Sequence, residues 1–185
     1  MFKHILLCAA ISALVGNPLI AIAHELGPHV HGVASLQIAV DEKTMTLDFS
    51  GPLDNLIGFE HVARTAKQKA AVKKMADDLN KAEQFFIPTA DAQCTLQSVK
   101  LDSIVLKPET VQDKKEKSPP HEEERAHADI DGEFVFACKQ TGKLHDLEVK
   151  LFGAYPNLHQ LKVEVATLKK QTSAQLTPEQ RRVNW

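Results

Sequence analysis

Three histidines bracket a short stretch near the start of this chain. His29-Val30-His31-Gly32 leads into an alternating segment, and Gly58-Phe59-Glu60-His61 closes it. Neutral imidazole is the commonest protein ligand for zinc. Spacing of i, i+2 puts both side chains on one side of an extended backbone. Two such rings can converge on one tetrahedral ion while the chain stays regular, so the His29/His31 pair predicts a metal site. A third donor must come from elsewhere. His61, on the loop leaving the same hairpin, is the first choice, with Glu60 and His24 next. Against this stands a plainer view, that His29 and His31 are polar residues of an N-terminal arm, because His-x-His alone is a weak motif.

The remaining histidines carry less. His121 and His127 lie in a charged run beside Glu122, Glu123 and Glu124. Such a run can catch cations through exchangeable ligands, at a cost in ordering entropy, or can simply be solvated. His145 and His159 share the phase of Leu147 and Leu161 and read as strand-end core or turn residues. If cleavage made His24 the new terminus, its amine, its imidazole and one more histidine would chelate copper. Hydrolytic catalysis finds no support: Gly-x-Ser-x-Gly, His-Glu-x-x-His and a Gly-rich phosphate loop are all missing. The chain is therefore not read as an enzyme.

The elements that must position these residues begin after a leader. Met1-Phe2-Lys3-His4 is a short basic start, an apolar run follows, and Ala21-Ile22-Ala23 has the small-x-small form of a signal-peptidase site. Residues 1–23 are expected to be cleaved and the protein to be periplasmic, or secreted if the source is not Gram-negative. Asn17-Pro18 interrupts the apolar run, which suits a leader better than an anchor. Leu6-Leu7 ahead of Cys8 does not offer the small residue of a lipoprotein signal. Lys3 leaves with the leader, so 21 basic residues face 24 acidic ones, a formal charge near −3. No basic patch points to nucleic acid and no further apolar span to a membrane.

Two cysteines then remain, Cys94 and Cys138. In an oxidising compartment an isolated pair is expected to form a disulfide, the alternative being two thiolate metal ligands. Placing them opposite one another on antiparallel strands centres the connecting hairpin on residue 116, the middle of a Lys-, Glu- and Pro-rich run from Lys107 to Ala128. That run is expected to be a flexible, charged loop.

Apolar alternation predicts strands over 33–40 and 44–49, joined through Asp41-Glu42-Lys43 with Val40 beside Thr44. Carried backwards, the first strand puts His29 and His31 in phase with Ser35 and Gln37, facing solvent. Thr65 is the expected N-cap of a helix whose stripe runs Val72, Met75, Ala76, Leu79, Ala82, Phe86 and stops at Pro88. Cys94 to Leu106 reads as a strand with a bulge near Ser98. Further strands are expected over 130–138, 147–151 and 161–165. The fold class is α+β, an antiparallel sheet of about six strands with one main amphipathic helix on one face. Residues 24–168 form the domain, with 107–128 as its loop, and 169–185 a polar C-terminal tail.

Three blocks resemble a known family. His29-Val-His-Gly-Val-Ala-Ser-Leu, Pro52-Leu-Asp-Asn-Leu-Ile-Gly-Phe-Glu-His and Phe152-Gly-Ala-Tyr-Pro-Asn-Leu-His-Gln-Leu are similar, in that order, to the ZrgA-like family of zinc-regulated periplasmic proteins. The resemblance implies a zinc-binding accessory of zinc uptake that hands its ion to an importer of the ATP-binding-cassette type. Members often carry a histidine-rich run between the middle strands. Here that run holds His121 and His127 alone, which shifts weight to His29, His31 and His61. The competing function is an envelope adaptor that binds no metal and docks through a sheet edge or the long loop.

Overall fold

The computed structural model describes residues 30–107 and 128–185. His24, His29, His121 and His127, together with the expected leader, lie outside these residues. Strands β1 (Val33–Val40), β2 (Thr44–Pro52), β4 (Cys94–Asp102), β5 (Asp129–Cys138), β7 (Gln160–Thr167) and β8 (Gln171–Leu176) form a six-stranded sheet. Its order is β4-β5-β2-β1-β7-β8. Strands β3 (Phe86–Pro88), β6 (Asp146–Val149) and β9 (Arg182–Asn184) make a second, three-stranded sheet in the order β3-β6-β9. Among the described residues the one long helix, α2 (Ala66–Leu79), follows a single turn, α1 (Asp54–Ile57).

Alternation decides which face is buried. Leu36 and Ile38 of β1, Met45, Leu47 and Phe49 of β2, and Phe134 and Phe136 of β5 are all within 2% of full burial. They share one core with Met75 and Leu79 of α2 and with the second sheet, where the Phe86 ring lies 5.1 Å from that of Phe134. The apolar area between these layers is the main favourable term in folding. Helix α2 starts where expected. The amide of Gln68 donates to Thr65 Oγ1, while Gln68 Oε1 accepts from the Thr65 amide, a reciprocal capping box. The helix ends at Leu79, and the later members of its expected stripe, Ala82 and Phe86, are buried from a 3-10 turn and from β3 instead.

The α+β architecture is as expected, with three differences of detail. The large sheet is mixed: β1 and β7 run parallel, Val33 beside Gln160 through Val40 beside Thr167, and its other pairs are antiparallel. Of the stretch 147–151, residues 147–149 lie in β6 of the second sheet and Leu151 opens a helical turn. The polar residues after Thr167 supply β8 and β9, anchored by buried Leu176 and Val183. Strand β8 lies at an edge, so one buried residue in six suffices and alternation is weak.

The first hairpin is offset by one residue from its expected register, with Val40 beside Met45 and Ser35 beside Ser50. The physical reason is facial. This register sets Leu36 opposite Phe49 and Ile38 opposite Leu47, whereas the expected one would oppose apolar to polar side chains. Asp41 fixes the longer loop by accepting from the Lys43 amide and from the amide and hydroxyl of Thr44. Those bonds, the Lys43 amide foremost, hold its carboxyl below the usual carboxylate range.

Cys94 stands opposite Cys138 in the β4–β5 ladder, and the two are joined by a disulfide. Between Leu96 and Ser98 the register shifts by one, the bulge expected near Ser98. The hairpin tip expected at residue 116 lies outside the described residues.

Candidate metal site

The N-terminal end of the parallel pair β1/β7 gathers three loops. Gly32, just before β1, has φ +81°, a left-handed conformation that favours glycine. The Val33 amide donates to Val30 O at 3.0 Å, so residues 30–33 form a turn. The extended backbone expected through His31 therefore stops at Gly32, and His31 projects from a turn, not from a strand.

Asn55 of α1 holds this turn in place. It is 1% exposed, accepts from the Gly32 amide at 2.6 Å and donates to Val33 O at 2.8 Å. From the other side, the amides of His159 and Gln160 donate to Gly32 O at 2.8 and 2.9 Å. Asn157 Nδ2 donates to Asp54 O at 3.2 Å, binding the two flanking loops to each other. The Glu60 backbone carbonyl accepts from the Ala128 amide at 3.2 Å, and the Leu53 amide donates to Ala128 O at 2.9 Å. The chain thus re-enters the described fold beside Glu60.

On this frame the His31 imidazole is 60% exposed and stands between two carboxylates. Its Nε2 lies 3.1 Å from Glu60 Oε1, and its Nδ1 lies 3.9 Å from Asp54 Oδ2. The Glu60 side chain is 11% exposed. Zinc ligands at 2.0–2.2 Å around a tetrahedral ion stand about 3.3 Å from each other. The Nε2 to Oε1 separation suits two ligands of one ion. Asp54 Oδ2, 3.9 Å from the other ring nitrogen, is near enough to act as a charge but not as a hydrogen-bond acceptor. Both carboxylates also add negative charge where a cation would arrive.

His61, the expected third ligand, is turned elsewhere. Its Nδ1 is 2.9 Å from Val62 O, its ring centroid is 5.0 Å from that of Phe59, and its Nε2 is 3.5 Å from Gln68 Nε2. Neighbouring residues thus serve different surroundings: Glu60 meets His31, and His61 faces the cap of α2. Among the described residues, no three His, Cys, Asp or Glu side chains are grouped so as to hold an ion. The pair brought within contact distance is His31 with Glu60.

His159 and His145 are both exposed, not core residues. A Cβ added to Gly32 would fall 2.7 Å from His159 Cδ2, so that ring lies directly on the turn carrying His31. Sequence reasoning did not connect them, because only the parallel β1/β7 register brings residues 32 and 159 together. His145 sits far along the chain from this cluster, its Nδ1 3.0 Å from Asp146 Oδ2. Asp146 also takes the Arg182 guanidinium and the Thr89 hydroxyl, a network that fastens β6 to β9. The two cysteines are engaged with each other, so neither is a thiolate ligand.

Among the described residues no helix is long and apolar enough to cross a membrane. The family model described as ZrgA family zinc uptake protein matches residues 28–185, nearly everything after the expected leader. No curated protein matches the chain.

Proposed function

Because the chain belongs to the ZrgA family of zinc uptake proteins, we propose that it captures zinc at the His31 pole and passes it on to an importer. The observation that carries this reading is the 3.1 Å separation of His31 Nε2 from Glu60 Oε1 on an exposed imidazole. In this reading those two side chains supply the first two donors. Asp54 adds negative charge beside the ring, and His29, two residues earlier in the sequence, supplies a second imidazole. His61 turns from its present pose to complete the shell, and solvent fills any remaining position. His24 and His127 are outer donors. His127 directly precedes Ala128, whose amide is bonded to Glu60, which is what favours it over His121.

The chemistry is binding and release. Zinc joins neutral imidazole and carboxylate ligands without redox change, and an open shell of few protein ligands keeps it exchangeable. That suits cargo in transit better than a structural ion. The cleaved protein would work in the periplasm and yield its zinc to an importer of the ATP-binding-cassette type; copper is the competing cargo.

Calorimetric titration of the mature chain tests this. Zinc is expected to bind well below millimolar, with a loss of about tenfold or more in both His31→Ala and Glu60→Gln. Absence of zinc binding below about millimolar, or wild-type affinity in both variants, would overturn the reading.

A further inference from the structure

The capping box of α2 has a second outlet. Gln68 Oε1 accepts from the amides of Arg64 and Thr65 at 3.0 and 3.1 Å. Backbone amides can only donate, so the atom they meet must be the carbonyl oxygen of Gln68. The atom turned towards His61 Nε2, at 3.5 Å, is therefore the Gln68 amide nitrogen, which can only donate. On the other side of the ring, His61 Nδ1 lies 2.9 Å from the Val62 carbonyl, which can only accept. The ring proton thus belongs on Nδ1, and Nε2 presents its lone pair.

We propose that Gln68 is a positioning residue for His61, holding it as the neutral Nδ1–H imidazole whose Nε2 lone pair is ready for an incoming zinc ion. This rests on the reading above, in which the ion gathered at His31 and Glu60 recruits His61. The contact with Gln68 is long, so it orients the ring while remaining weak enough to be exchanged. Ligation then exchanges one N–H···N contact and one zinc-bound water for one Zn–N bond, the water leaving to solvent, and no proton has to leave Nε2. A proton-bearing Nε2 would have to shed or shift that proton first, the usual reason that metal binding is coupled to proton release. The side chain that caps α2 thus also sets the tautomer of His61.

The test is long-range ¹H–¹⁵N correlation on the mature, ¹⁵N-labelled chain, above the range in which its imidazoles carry charge. His61 is expected to show an unprotonated Nε2 and a protonated Nδ1. Gln68→Glu keeps an oxygen for the Arg64 and Thr65 amides, so the helix remains capped, but it turns an acceptor towards Nε2. The tautomer should then exchange, with helix content by circular dichroism unchanged. One equivalent of zinc added to the wild-type chain should shift His61 Nε2. A proton found on Nε2 in the wild type, or a tautomer indifferent to Gln68→Glu in a folded protein, would overturn the proposal. So would zinc that moves the His31 resonances and leaves His61 untouched, a result under which the His31–Glu60 site still stands. Zinc that moves neither ring overturns both.

Discussion

Replacing Gly32 by alanine probes the turn that carries His31. Two separable effects oppose the substitution. At φ +81° an L-residue pays about 1–2 kcal/mol for the left-handed region, while alanine returns about 0.4–1 kcal/mol by restricting the unfolded chain. The new Cβ would also stand 2.7 Å from His159 Cδ2, so the exposed ring must swing away. Pushing a side chain off its rotamer costs about 0.5–1.5 kcal/mol. The expected net loss is about 1–2 kcal/mol, or a few degrees in melting temperature for a domain of this size. Urea titrations of Gly32→Ala, His159→Ala and the double variant separate the parts. Removing the His159 ring should restore the steric share and leave the backbone share in place. Complete rescue by His159→Ala would refute the claim that the turn itself is strained. A stability change below about 0.5 kcal/mol in Gly32→Ala would refute both parts. Zinc affinity should fall in Gly32→Ala more than in His159→Ala, because the turn rather than the ring aims His31 at Glu60.

Two further outcomes follow from the same geometry. Asn55→Ala strands a buried amide at Gly32 and a part-buried carbonyl at Val33, and should cost about 2–3 kcal/mol in a denaturant melt. A near-neutral result would mean that Asn55 does not pin the turn. Breaking Cys94–Cys138, by reduction or by paired serine substitution, opens a loop with a sequence separation of 44 and should cost up to about 4 kcal/mol. Zinc affinity at His31 should survive that loss wherever the domain remains folded, since neither cysteine is a ligand.

Much of the scaffold is legible in the residues. Thr65 followed by Gln68 announces a helix start, because a hydroxyl and an amide three positions apart can exchange bonds with each other's backbone. Two cysteines placed symmetrically about a charged run announce a hairpin, and the phase slip near Ser98 announces its bulge. What cannot be read locally is which strand lies beside which. Leu161, Val163 and Val165 reveal a half-buried strand but are silent on its direction, so the parallel union with β1 is invisible. His31 stands in a turn and not in a strand because Gly32 takes a left-handed conformation that alternation does not reveal. His159, just before β7, meets that turn only through the parallel register. Glu60 in turn outranks His61 at His31 because adjacent side chains leave the chain in different directions, a choice made by the loop and not by composition.

The parallel union of β1 with β7 also bears on the order in which the molecule assembles. Val33 and Gln160 are 127 positions apart, and they are neighbours at the centre of the sheet, not at its margin. Joining such distant partners is slow, since the entropy of closing a long loop must be met before any contact rewards it. A chain still missing its last thirty or so residues can form the β1–β2 hairpin, but it has neither Asn157 to brace Asp54 nor the amides of His159 and Gln160 to seat Gly32. A truncated or half-threaded copy therefore lacks the seated turn from which His31 reaches Glu60.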